Sequence, residues 1–411
     1  MFITHARQCR RHTFLRRSMS PVPLPTQCGR YKPEHKSKST QRWNVYRDNT
    51  LDNRLEEPLL FNPASSPLFR SFDFHLDDIP RYLFRTFDWK SFGRSDEDII
   101  SSPATELGTA YCKSDIFSLD TDLAMSIVDR HMNPWGVKDY ENHPPDNFMS
   151  WTSSLLYAVQ YALYRRHHFG CVSEEIKICV VDTHKFPRGQ FIHAKCLLQA
   201  YYQVVKRIDM RHSISPRLLC YIYQNGEYIS QGLVNHRAGG KSCLLSLADL
   251  ERTGLYFLYP ELAIPEQHSK WAITTANLRK VWTATHVPTS SSELEAAILL
   301  ARSCFVDFDV LDMAIIILSF KRRKLAQLPS GENPHDPFLY YQDLQGFGKD
   351  VPEWGRKPQE VRQYLAALHI LQPVSQTPRQ ALEGTSSETG STMAERHKWL
   401  IQELLRCFPV H

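Results

Sequence analysis

Arg85, His131, Ser150, Thr152, Asn225 and Glu227 are the residues of this 411-residue chain whose types and order could do chemistry. A carboxylate such as Glu227 can accept hydrogen bonds and oppose developing positive charge. Arg85 offers a fork of donors suited to a phosphate. The hydroxyls of Ser150 and Thr152, at the end of a short apolar segment, can point into a cleft there. Each residue also has a structural reading. Arg85 suits a surface ion pair, His131 a helix-end cation, Ser150 and Thr152 helix caps, and Asn225-Gly226-Glu227 a hairpin turn with a solvated acid.

The elements that would position them are legible as patterns. The alternating, aromatic-rich run 81–87 predicts a strand that opens the fold. Helical spacing over 121–131 ends at Pro134-Trp135-Gly136. The stretch 148–158 joins an apolar segment, a Ser-x-Thr turn and a helix running to about Arg166, capped by Thr152 or Ser153. Further strands are expected at 176–181 and 189–193, then a helix over 194–209. Strands at 218–223 and 228–234 flank the turn Asn225-Gly226, and 256–258 reads as another strand. A capping box at Ser292 and Glu295 introduces helices 293–302 and 310–324. The resulting division is a disordered basic region over 1–75, a domain over 76–285, a helical extension over 286–327, a linker over 328–392 and an amphipathic helix over 393–408.

Composition narrows the classes. Ten cysteines lie singly without a C-x-x-C pair, and none of the eleven asparagines opens a glycosylation sequon, which favours a reducing, intracellular setting, cytoplasmic or nuclear. No apolar run reaches the roughly 18 to 20 residues of a membrane span. Residues 1–33 carry seven Arg or Lys and no acid, a pattern shared by a mitochondrial presequence, a basic tail and an upstream start codon. The net charge is only +5, and the near-neutral centre argues against a nucleic-acid face. Gly240-Lys241-Ser242 lacks the earlier glycine of a P-loop, since Asn235 stands there, and no G-x-S-x-G or G-x-G-x-x-G occurs. His167-His168-x-x-Cys171 fits a helix terminus better than a metal site, and no metal is expected.

In order and rough spacing, Arg85, His131, Ser150, Thr152 and Glu227 resemble the ADP-ribosyltransferase superfamily, in the branch of the cholera and heat-labile enterotoxin A subunits. Leu83-Phe84-Arg85 resembles the arginine strand, and His131 stands at about the expected distance before the next motif. Ser150-Trp151-Thr152 resembles the Ser-Thr-Ser segment, and Glu227-Tyr228-Ile229-Ser230-Gln231-Gly232 the catalytic glutamate and its strand. The resemblance covers about residues 79–240. It implies an α+β fold with a split, mostly antiparallel sheet, here followed by the helical extension, and NAD as substrate. Glu227 would bind the ribose 2′-hydroxyl, Ser150 would hold Glu227, Arg85 would pair with a phosphate or the adenosine ribose, and His131 would bind the adenosine-side ribose or orient Arg85. Asn225 departs from the family's first glutamate, and its shorter side chain puts transfer to arginine in doubt while leaving NAD hydrolysis possible. Trp151 replaces a small residue. The chain also looks like an uncharacterised domain family of filamentous fungi, on Ser150-Trp151-Thr152-Ser153 and 226–232.

The expected function is therefore an NAD-consuming ADP-ribosyltransferase or NAD glycohydrolase acting on or with a protein partner. The alternative is a catalytically inactive descendant kept as an interaction module. A third reading, a Ser150-His131-Asp182 hydrolase, lacks a nucleophile elbow.

Overall fold

Strong β-formers and a pleated alternation build the centre of the molecule, whose computed structural model describes residues 57–132, 145–204, 218, 225–326, 357–371 and 392–410. The strands are β1 (Tyr82–Phe87), β2 (Arg94–Ser95), β3 (Ile99–Ser101), β4 (Phe148–Thr152), β5 (Lys177–Asp182), β6 (Ile192–His193), β7 (Glu227–Gln231), β8 (Leu233–Asn235) and β9 (Ser242–Ser246). Six of them form one sheet in the order β6-β7-β4-β1-β5-β9, with every pairing antiparallel. A second sheet, β2-β3-β8, is also antiparallel. The expected run over 228–234 is thus two strands in two sheets, because Gly232, at φ +68°, turns the chain between them. With eleven α-helices of mixed length among the described residues, the fold is α+β.

Side chains alternate across the large sheet. On one face Tyr82, Phe84, Ile178 and Val180 pack against α2 (Leu155–Phe169) and against helices from the C-terminal half. On the other, Leu83, Met149, Trp151, Cys179, Val181 and Tyr228 form a smaller cluster. Ile178, Cys179, Val180 and Val181 are all fully buried, so β5 is covered on both faces. Its aliphatic side chains contribute about 1.5–3 kcal/mol each. A third cluster gathers Phe61, Phe69, Phe74, Phe117 and Tyr201 around α1 (Thr121–Met132) and α3 (Ala194–Val204).

Several expected boundaries change. Residues 57–75, which the expectation of a disordered stretch over 1–75 includes, are part of the fold, since Phe61, Phe69 and Phe74 are core residues whose rings meet Phe117 edge-on or tilted. The segment 328–392 is not all linker: it contains α8 (Gln359–Leu371), whose Tyr364, Ala367 and Leu371 join the main core. The helices α4 (Leu247–Thr253), α5 (Trp271–Thr283), α6 (Ser291–Cys304), α7 (Val310–Leu318) and α9 (Met393–Cys407) contribute to that same core, so the C-terminal helices complete the domain rather than append to it. Residues 255–258 are a helical turn, not a strand, because Gly254 at φ +113° ends α4 and the next amides bond back to it. The capping box lies two residues earlier than expected, at Ser290 and Glu293. The helix from Val310 stops at Leu318, where Arg322 turns back to accept from the Val287 amide and Arg323 pairs with Glu293. The expected strand 218–223 lies outside the described residues, apart from Leu218.

Candidate functional site

β4 is buried except at Ser150, its middle residue and its one exposed side chain. That hydroxyl lies 2.7 Å from His131 Nε2, and the other ring nitrogen, Nδ1, bonds Asp146 Oδ2. Asp146 is itself fixed, because its Oδ1 accepts from the Phe148 amide at 2.8 Å. The Phe148 ring meets the imidazole edge-on at 5.5 Å. A carboxylate at Nδ1 sets the tautomer that leaves Nε2 as acceptor for the Ser150 hydroxyl. The result is a continuous chain from Asp146 through His131 to Ser150. The expected third member, Asp182, is elsewhere: it ends β5, accepts from the His184 amide and faces Arg81 at 3.5 Å.

Arg85 enters from β1. Strands β1 and β4 pair at a single position, Phe84 with Thr152, so they part beyond it toward Ser150. Arg85 pairs with Cys179 and belongs to the Trp151 face, but its Nη1 turns into the parting and donates to the Ser150 carbonyl at 2.8 Å. Its Nε is buried and makes no hydrogen bond, and no carboxylate among the described residues forms an ion pair with it. Burial pulls its pKa below the ordinary guanidinium value, opposed by Tyr161, Cys179 and Asp146. Arginine keeps its proton nonetheless, so a fixed positive charge sits behind Ser150.

Glu227 begins β7 directly opposite Thr152, while Ser150 pairs with Ile229. The three side chains therefore share one face, with Glu227 on the diagonal about 7–8 Å from Ser150. The hydroxyl of Ser150 engages His131 rather than Glu227, which corrects the expectation that it holds the acid. Glu227 is half-buried. Thr152 is not the helix cap: Ser154 caps α2 by accepting from the Tyr157 amide, and Thr152 instead donates to the Asn225 carbonyl at 2.5 Å and accepts from the Ser154 amide.

Asn225 stands where the resemblance implies a residue facing an acceptor, with a side chain expected to reach it poorly. It is 1% exposed, and its Oδ1 accepts from Arg279 Nη1 at 2.7 Å. Arg279 also forks onto Glu360 of α8, with Nε to Oε2 at 2.9 Å and Nη2 to Oε1 at 2.7 Å, and Ser154 donates to the same carboxylate. Burial raises the Glu360 pKa, but Arg279 and the Ser154 hydroxyl outweigh it and hold the group below its ordinary value. A buried ion pair from two distant helices therefore fixes the turn that carries Glu227. Gly226, at φ +62°, completes that turn; an added Cβ would lie 2.1 Å from Ser153 Oγ and 2.9 Å from Pro358 Cδ. Trp151 points into the core at 2% exposure, donating to Ser230 Oγ at 2.8 Å and meeting Phe191 edge-on.

The structure thus places His131, Ser150, Thr152 and Glu227 on one side of the sheet and brings Arg85 to them only through its guanidinium. Asn225 belongs to the supporting core. Asp146, Arg279 and Glu360 escaped the sequence reading. Asp146 sits in a polar loop without periodicity, and the other two are ordinary helical charges whose pairing spans 81 positions. Residues 78–231 match the family model of a domain of unknown function (DUF7587). No curated protein and no solved structure matches the chain.

Proposed function

We propose that the chain cleaves NAD at the bond between nicotinamide and ribose, as an ADP-ribosyltransferase or NAD glycohydrolase. The observation that carries this reading is the shared face of Ser150, Thr152 and Glu227 on paired strands, with a buried arginine entering at the parting of β1 and β4. Breaking that bond leaves an oxocarbenium-like ribose, and a half-buried carboxylate opposes its charge far better than water does. Glu227 takes that role and binds the 2′-hydroxyl. Arg85 has an unpartnered buried Nε suited to an anionic oxygen, so it takes a phosphate. His131 and Ser150, joined to each other, line the same face and meet the ribose hydroxyls.

Asn225 deepens the distinction between transfer and hydrolysis. Its side chain is turned inward to Arg279, so no amide or acid stands two residues before Glu227 to orient a guanidinium acceptor. This favours water as acceptor. The test is to incubate the full chain with NAD, with and without an arginine analogue, and to separate the products chromatographically. Equal amounts of nicotinamide and free ADP-ribose, unaltered by the analogue, are expected. Intact NAD after prolonged incubation with folded protein overturns the reading and leaves the interaction module.

A further inference from the structure

We infer that Ser150, His131 and Asp146 form a nucleophilic relay that makes Ser150 Oγ reactive toward carboxylic esters, an activity separate from NAD cleavage and not dependent on it. Three independent features meet there. The hydroxyl is the exposed member of an otherwise buried strand, so an electrophile can reach it. Its 2.7 Å contact with His131 Nε2 places a base in line for its proton. The base is oriented from behind by a carboxylate that is locked by a backbone amide, and the Phe148 ring restricts the imidazole's rotation. A solvated hydroxyl beside a helix-end histidine would need none of this support. Arg85 adds a fixed positive charge behind Ser150, its Nη1 donating to the Ser150 carbonyl at 2.8 Å.

The reaction balances without a further reagent. Ser150 Oγ attacks the ester carbonyl carbon, its proton passes to His131 Nε2, and the carbonyl oxygen takes the negative charge. Collapse breaks the bond to the leaving alcohol, which receives the proton from His131. Water, deprotonated by the same nitrogen, then releases the acid from acyl-Ser150. The role differs from that of a serine on a strand-to-helix elbow, because here the nucleophile is held in mid-strand by two neighbours and exposed by the parting of β1 from β4.

The probe is a fluorophosphonate, which transfers its phosphonyl group to a nucleophilic serine with loss of fluoride. Full-length protein is labelled at neutral pH and the modified residue located by peptide mass spectrometry, with hydrolysis of p-nitrophenyl acetate followed in parallel. Labelling at Ser150 is expected, with none in Ser150→Ala and at least about 100-fold slower labelling in His131→Gln and Asp146→Asn. Circular dichroism establishes which variants fold; should a variant not fold, labelling of wild-type Ser150 alone decides. Absence of label on Ser150 in folded wild type, or an unchanged rate in a folded His131→Gln, overturns the relay. Nicotinamide release is assayed on the same samples, so failure of the ester reaction and failure of NAD cleavage are read separately.

Discussion

Residue by residue, the site depends on a few side chains that serve packing and chemistry together. Trp151 occupies the position where the resembled family has a small residue, and the structure accommodates it by turning it away from the exposed face into a pocket lined by Phe191 and Ser230. Trp151→Phe would remove the indole donor and leave Ser230 Oγ, which is fully buried, without that partner. The expected cost is about 1–3 kcal/mol, read as a lower urea midpoint with little change in slope. Replacing Ser230 by Ala in the same background should recover part of it, because both polar atoms are then gone. The six expected site residues were visible in the sequence as types and order, yet their partners were not. The resemblance gives Ser150 to Glu227, and the hydrolase reading gives it to His131 with Asp182 behind the ring; in the structure Ser150 bonds His131, and the acid behind that ring is Asp146. A hydrogen bond of this kind is set by where a loop passes a helix end, and no local pattern encodes that.

Among the elements, the turn before β7 is where the two halves of the chain meet. Gly226→Ala puts a side chain at φ +62° and into Ser153 and Pro358. A loss of more than about 1 kcal/mol is expected from backbone strain alone, and chemical denaturation measures it. Arg279→Ala leaves the Glu360 carboxylate buried without its cation, a change that costs about 3–5 kcal/mol. The pH dependence follows from the same pair. The folded-state pKa of Glu360 is held below its ordinary value of 4.5, so the unfolded chain binds the proton first as pH falls. The stabilisation is complete near neutral pH, declines once pH drops below 4.5 and disappears as pH passes the folded value. The Arg165 pair holds Asp88 below 3.8 in the same sense, against the opposing pull of burial. A urea midpoint that is flat from about pH 7 to 6 and falls below about pH 5 is expected, with a shallower fall in Glu360→Gln. Strand positions close to these sites were legible because alternation is local, whereas the cap of α2 falls to Ser154 rather than to Thr152 or Ser153. Missed was the tie from α8 to the turn, since Glu360 looks like any other first-turn acid.

At the scale of the whole molecule, the C-terminal helices are part of the domain. α9 carries Leu400, Leu404 and Cys407, with Phe408 after it, all within the core that includes β1 and β5. Truncation at residue 391 strips these four and should lower the melting temperature by at least about 10 °C, given about 1.5–3 kcal/mol for each large apolar side chain. An unchanged melting temperature would mean that α9 docks without stabilising the sheet. The amphipathic pattern of 393–408 announced a docking helix, and its surface of attachment was beyond reach because hydrophobic spacing states which face is buried but not against what. Likewise, Phe61, Phe69 and Phe74 stand in a stretch rich in proline and serine, and only their convergence on Phe117 makes them core. Among the described residues, no helix is long and apolar enough to cross a membrane. The same tertiary contacts that tie α8 and α9 to the sheet fix the turn that starts β7, where Glu227 lies on the face of Ser150 and Thr152. The most direct measurement is nicotinamide release from NAD by the purified full chain beside Glu227→Gln, with equal melting temperatures as the control for folding. Release by the wild type and a fall of at least about 100-fold in the variant are predicted, the scale of losing a charge-stabilising group at the transition state. Equal release by the two proteins, or none by folded wild type, would contradict the assignment of Glu227 to the cleavage of NAD.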